Sequence, residues 1–158
     1  MARALLLMLA ESGARISEIA NLSLSDIDLK GRCARIIGKG NREEWIFWRY
    51  RAARALRGYL AQRGELEGPL FRNQSGGPLK DYGIRGVVSR LAHIAGIKLP
   101  KGAMIHCFRH RFAHKALEQG LDVTQVAQLM RHRNIDTTYR YLRENRDRLR
   151  KIRDRMAD

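Results

Sequence analysis

Ala4-Leu5-Leu6-Leu7-Met8-Leu9-Ala10 is an unbroken apolar run, preceded by Arg3 and followed within three residues by Gly13. A helix that is apolar on every side has to be buried, and this one is too short to span a bilayer. The run superficially resembles the apolar stretch of a secretory signal. Cleavage soon after it, however, would strand Arg15 at a new terminus and leave a body as basic as a nucleic-acid binder. The expectation is a buried helix from about Ala2 to Glu11, ending near Gly13, a residue suited to the left-handed position after a helix. The rest of the chain must supply its cover.

At 158 residues the chain suits one domain with a sizeable core. Ser17 can cap a second helix carrying Ile19, Ala20 and Leu22. Asp26-Ile27-Asp28 and Lys30-Gly31 have the chemistry of turns. Two short β-type runs follow, Cys33 to Ile37 and Trp45 to Trp48, joined by Gly38-Lys39-Gly40-Asn41-Arg42 as a hairpin loop. Helices are expected over Tyr50 to Gln62 and Asp81 to Ala95, the second weakened by Gly83 and Gly86. Gly64 to Lys80 reads as mostly loop. Cys107 to Gln119 is helical and stopped by Gly120, Asp122 caps a short helix through Met130, and the chain reads as helical from Asn134 and Asp136 to its end. The fold class expected is mainly α with a small antiparallel β-sheet (α+β).

The apolar fraction is ordinary for a globular protein, but the charge is not. Lysine and arginine number 31 against 16 acidic residues, a formal charge of +15. Such an excess repels itself in a compact state and calls for a polyanion. Nucleic acid fits best, because neutralising phosphates releases counterions whatever the sequence. A membrane surface fits less well, since the chain lacks a basic amphipathic helix with a Trp/Phe face. Cys33 and Cys107 form no metal or redox motif and sit in apolar patterns, as reduced core residues of a cytoplasmic protein would.

Six residues are suited to work on one phosphate: Arg15, Lys39, His106, Arg109, His132 and Tyr141. Each has a plainer reading. Arg15 sits among many surface arginines, and Lys39 between two glycines has the look of a solvated turn tip. The P-loop spacing is absent there. His106, His110 and His114 share a helical face, but no carboxylate or thiol near them matches a zinc pattern, so no metal is expected. Tyr139 and Tyr141 have a core reading too. Asp122 to Tyr141 also resembles a helix-turn-helix, although the turn of that motif wants a small residue with positive φ and this chain has Arg131-His132-Arg133 there.

The joint spacing carries more than any single piece. Ser12-Gly13-Ala14-Arg15-Ile16-Ser17-Glu18, followed by Leu22, Leu24 and Asp26-Ile27-Asp28, is similar to the first box of the tyrosine recombinase, or phage integrase, catalytic domain. Ile37-Gly38-Lys39-Gly40-Asn41-Arg42-Glu43 resembles that family's β-hairpin lysine segment. His106-x-x-Arg109-His110-x-Phe112-Ala113 resembles its second box, and Leu129-Met130-Arg131-His132 with Thr137-Thr138-x-x-Tyr141 its third. The resemblance runs from about Leu5 to Leu142. One departure is Arg131, where the family's third box usually has glycine. A second is that the chain begins directly at the catalytic domain, without the N-terminal DNA-clamping domain usual in the family.

The resemblance implies a tyrosine recombinase catalytic-domain fold: one domain over residues 1–158, with 142–158 as a basic helical tail. It implies Tyr141 as nucleophile, Arg15 and Arg109 on the nonbridging oxygens, His132 as a further donor to them, His106 in proton transfer, Lys39 as acid for the leaving oxygen, and Glu18 in support. Lys80, Arg85, His110, Arg131 and Arg133 are expected to contact DNA. The implied chemistry is site-specific DNA cleavage and rejoining through a 3′-phosphotyrosine, with no cofactor, no metal and no ATP. The implied partners are double-stranded DNA and further copies of the chain, in a tetramer on a four-way junction, coupled through the C-terminal helix. Leu142, Leu149, Ile152 and Met156 make an apolar stripe there. No membrane partner is expected, and the place of action is the cytoplasm, at the nucleoid. Two alternatives stay open: a catalytically silent DNA-binding module of the same fold, and a topoisomerase-like nicking-closing enzyme.

Overall fold

A computed structural model describes residues 1–38, 41–64, 67–99, 104–132, 134 and 137–139. The chain clusters into two compact units, Met1–Arg109 and His110–Asp158. The first contains α1 (Ala2–Ser12), α2 (Ile16–Ala20), a 3-10 turn (Leu24–Asp26), β1 (Ile27–Asp28), β2 (Cys33–Ile37), β3 (Glu43–Phe47), α3 (Tyr50–Arg63) and α4 (Asp81–Ile94). Helix α5 (His106–Glu118) begins in the first unit, and α6 (Val123–Leu129) belongs to the second. The architecture is mostly helical with one small antiparallel sheet, as expected.

The apolar run forms α1 and is buried: Leu5, Met8 and Leu9 have no accessible surface. Taking each such side chain out of water contributes about 1.5–3 kcal/mol. Helix α3 packs on α1 through a face that includes Ala52, Ala53 and Leu56, all fully covered. The two alanines let the backbones approach closely. Gly13 ends α1 with φ 60, a left-handed conformation that is costly for any residue with a Cβ. The chain therefore reverses sharply just before Arg15.

The sheet is ordered β1-β2-β3 with antiparallel neighbours. Ala34 pairs with Ile46, and both are fully buried with Ile36 beside them, so one face of the hairpin joins the core. Arg35 points outward, with Nη1 2.7 Å from Glu43 Oε1. Two details depart from the sequence expectation. The second strand starts at Glu43 rather than Trp45, and Trp48 leaves it, with its backbone N–H donating to the Arg32 carbonyl at 3.1 Å. Ile27-Asp28 is a third strand paired with Ala34 and Cys33, not simply a turn.

The stretch between α3 and α4 is loop, yet it is tied into the fold. Leu70 N–H donates to the Leu22 carbonyl at 2.7 Å and Leu79 N–H to the Phe71 carbonyl at 2.9 Å. Leu70 and Phe71 are buried, and Tyr59 stacks on Phe71 with ring centroids 5.5 Å apart. The cysteines are free and only half-buried, not full core residues. Partial burial pushes both thiols above the usual cysteine range; Asp28 adds to this at Cys33.

The second unit has its own small core of Ala113, Ala116, Leu117, Val126 and Met130. Asp122 caps α6 as expected: its carboxylate accepts the Gln125 N–H at 2.8 Å while Gln125 Oε1 accepts the Asp122 N–H at 2.9 Å. This reciprocal arrangement satisfies two amides that the helix cannot. Among the described residues no helix is long and apolar enough to cross a membrane. The tail 142–158 with its expected stripe lies outside the described residues.

Candidate active site

In the first unit the candidate residues converge on the turn after α1. Ser12 Oγ donates to the Met8 carbonyl at 2.6 Å, and accepts the Ala14 N–H at 3.2 Å. This braces the turn on both sides of Gly13. Arg15, not Ser17, is the residue that caps α2. It has no side-chain acceptor to offer the helix, so Glu18 supplies the missing contacts. One oxygen of its carboxylate accepts the Arg15 N–H at 2.7 Å and the other accepts from Arg15 Nη1, also at 2.7 Å. Glu18 is buried, whereas the Arg15 side chain remains 45% exposed. A buried carboxylate thus grips an arginine whose side chain is still half exposed.

Arg109 approaches the same turn from a distant part of the sequence. It lies one turn into α5, is only 7% exposed, and donates through Nη1 to the carbonyl of Gly13. A guanidinium cannot shed its charge in a protein, and burying it is expensive unless acceptors surround it. Here the fold spends a buried cation to bring Arg109 to the turn that carries Arg15. His106, the first residue of α5, is exposed and lies three positions before Arg109, on neighbouring parts of the helix surface.

In the second unit the loop after α6 positions His132. The Arg131 N–H donates to the Gln128 carbonyl at 2.9 Å and the His132 N–H to the Ala127 carbonyl at 2.9 Å. This pair of bonds is the Schellman closure, which requires a left-handed residue after the helix, normally glycine. Arg131 adopts that conformation with φ 54, so the departure from glycine keeps the loop geometry at the cost of strain. It also supplies the positive φ that the helix-turn-helix reading found lacking. Arg131 Nη1 turns back to the Leu129 carbonyl at 2.8 Å.

His132 Nδ1 lies 2.6 Å from Thr138 Oγ1, and Thr138 is completely buried. With Nδ1 engaged by a buried hydroxyl, the orientation of the imidazole ring is fixed from behind. Thr138 belongs to the third box, but nothing in local periodicity marks a threonine as the partner of a histidine six residues earlier. Tyr139 is 47% exposed, against its core reading.

Lys80 and Arg85 are exposed on and just before α4, His110 is exposed on α5, and Arg131 is half-buried. Lys39, Arg133 and Tyr141 lie outside the described residues. None of the described candidate residues lines the cavity of about 650 Å³ between Met1, the Arg72–Ser75 loop and α4. Among the described residues no group of His, Cys, Asp or Glu is placed to hold a metal ion.

Comparison with known proteins bears on the family and the fold. Tyrosine recombinase XerC of Pelobacter propionicus is 36% identical to the chain, over 97% of the chain and 51% of that protein. XerC of Myxococcus xanthus is 35% identical over 96% of the chain and 53% of its own length. XerD of Halalkalibacterium halodurans is 35% identical over 95% and 52%. The chain spans about half the length of the curated relatives it matches. Among solved structures, XerA recombinase superposes with a TM-score of 0.84 at 28% identity, over 99% of this chain and 59% of that one. XerH bound to its difH substrate shares the fold, with a TM-score of 0.78 at 23% identity over 99% and 46%. Residues 1–148 match the profile of the phage integrase family, and with the relatives and the fold in agreement, the chain belongs to that family, the tyrosine recombinases.

Proposed function

We propose that the chain is the catalytic domain of a site-specific recombinase that cuts and rejoins double-stranded DNA through Tyr141. One observation carries this reading furthest: the turn after α1 collects two guanidiniums, Arg15 oriented by Glu18 and Arg109 held to the Gly13 carbonyl. Paired arginine forks match the nonbridging oxygens of a phosphodiester. Relatives named tyrosine recombinases support the same assignment.

In the proposed reaction Tyr141 Oη attacks the scissile phosphorus and the bond from phosphorus to the 5′ oxygen breaks. The products are a 3′-phosphotyrosine and a 5′-hydroxyl. A phenol has a pKa of about 10 and is a weak nucleophile at neutral pH until a cationic surround favours the phenolate. His106 takes or relays the phenolic proton. Arg15, Arg109 and His132 stabilise the charge that builds on the nonbridging oxygens. Lys39 protonates the leaving 5′ oxygen. One phosphodiester is exchanged for another, so resealing is the same chemistry reversed and needs no ATP. Lys80, Arg85, His110, Arg131 and Arg133 bind the flanking backbone, residues 142–158 couple copies of the chain on a four-way junction, and the protein works in the cytoplasm on the nucleoid.

The left-handed Arg131 favours a second reading, a binding module that uses α6 and its turn as a helix-turn-helix without cleaving. Covalent trapping separates the two. The protein is mixed with a labelled nicked duplex without metal, quenched in detergent and run on a denaturing gel. A protease-sensitive adduct that vanishes in Tyr141→Phe and persists in Tyr139→Phe supports the enzyme; binding without any adduct supports the module.

A further inference from the structure

The charge of +15 is not exhausted by the residues assigned above. Helix α3 carries four arginines and no carboxylate. Three of them, Arg51, Arg54 and Arg57, are exposed and fall within about 120° of helical arc and about 9 Å of axial rise. The buried side of the helix, Ala52, Ala53 and Leu56, belongs to the core that includes α1, so the arginine face looks away from it. Among the described residues neither Arg51 nor Arg54 forms an ion pair, and Arg57 reaches only a main-chain oxygen, with Nη2 3.4 Å from the Leu29 carbonyl.

That contact brings a second basic segment alongside. Leu29 opens the turn that contains Lys30 and Arg32, both exposed, and the Arg32 carbonyl accepts the N–H of Trp48 just before α3. Arg49, also exposed, precedes the first turn of the helix. The two carboxylates nearby are committed to backbone amides. Asp28 Oδ1 accepts from Lys30 N and Gly31 N at 2.9 and 2.8 Å. Glu11 Oε2 accepts from Arg49 N and Ala52 N at 3.1 and 3.2 Å. Six cations thus outnumber the two carboxylates beside them, and the repulsion that remains is relieved by an external anion with many charges.

We propose that the exposed face of α3, with Lys30, Arg32 and Arg49, is a second DNA-contact surface that holds the phosphate backbone of a duplex segment other than the one being cleaved. Its chemistry is mainly sequence-independent: guanidiniums spaced along a helix meet successive phosphates, with the exposed ring of Tyr50 on the same face. It rests on DNA being the partner of the site described above, but uses none of that site's residues.

The test compares the full chain with its Arg51→Gln/Arg54→Gln/Arg57→Gln variant. Binding to a fluorescein-labelled duplex of random sequence, several helical turns long, is followed by anisotropy across a NaCl titration. Each phosphate contact contributes about 0.9 to the slope of log K against log salt. The variant is expected to lose about 2–3 from that slope and to bind at least tenfold more weakly at low salt. Adduct formation on a short nicked duplex should stay unchanged. An unchanged slope in a variant with wild-type melting behaviour overturns the proposal, while adduct formation by the wild type leaves the catalytic reading standing. A photocrosslinker on Arg54→Cys gives an independent readout: crosslinks to the long duplex support the surface, and their absence sinks it. A wild type that neither binds DNA nor forms an adduct removes both readings together.

Discussion

Glu18 is the residue whose loss should separate folding from function most cleanly. Its carboxylate makes two bonds to Arg15, one to the backbone and one to the guanidinium, each 2.7 Å long. Removing the cap contact in Glu18→Ala costs about 1 kcal/mol. The ion pair adds only about 0.5 kcal/mol, because the Arg15 side chain is 45% exposed and solvent screens it. The sum is a loss of about 1.5 kcal/mol in unfolding free energy. Glu18→Gln keeps an oxygen for the backbone N–H and should lose about half as much. Function should fall further than stability in both, because a guanidinium no longer gripped from behind samples many rotamers. If Arg15 loses about 1.4 kcal/mol of transition-state stabilisation, adduct formation slows about tenfold. Urea unfolding gives the first quantity, with the slope checked for constancy, and adduct formation on a nicked duplex well below the melting transition gives the second. Wild-type stability in Glu18→Ala would mean that these bonds do not hold the turn. Wild-type adduct rates in both variants would mean that Arg15 is not positioned by Glu18.

Other expectations follow from the same structure. Arg131→Gly relieves the left-handed strain at φ 54, worth about 1–2 kcal/mol, against about 0.5–1 kcal/mol of extra chain entropy in the unfolded state. A net gain of about 0.5–1 kcal/mol should raise the melting temperature by about 1–4 °C, and a lower melting temperature would show that the arginine side chain outweighs the strain. Thr138→Val removes the hydroxyl beside His132 Nδ1 while keeping shape, so the adduct rate should drop about tenfold, or about 1.4 kcal/mol, and Thr138→Ser should restore it; equal rates for Val and wild type would refute a positioning role. Cys33 and Cys107 have raised pKa values through burial. Less thiolate is therefore present at any given pH, and iodoacetamide should label both more slowly than glutathione near neutral pH, with reactivity rising at higher pH. Labelling of either cysteine as fast as the free thiol would contradict that.

What was legible in the sequence is what depends on near neighbours. The apolar run specified α1 and its burial, Gly13 its stop, and Asp122 the start of α6, because periodicity and capping are settled within a turn or two of chain. The order of the boxes was legible for the same reason, as spacing along the chain. Packing decided the rest. Ile27-Asp28 reads locally as a turn and becomes a strand only because Ala34 and Cys33 pair with it. The cap of α2 passed from Ser17 to Arg15 because Glu18, buried in the fold, supplies the acceptors. Arg109 reaches the Gly13 carbonyl across 96 residues, and Thr138 faces His132 through a loop whose left-handed residue is an arginine rather than a glycine. A local signal reports what a residue can do. Which group it meets is set by long-range packing, where a buried guanidinium or a strained φ persists because the surrounding contacts offset its cost.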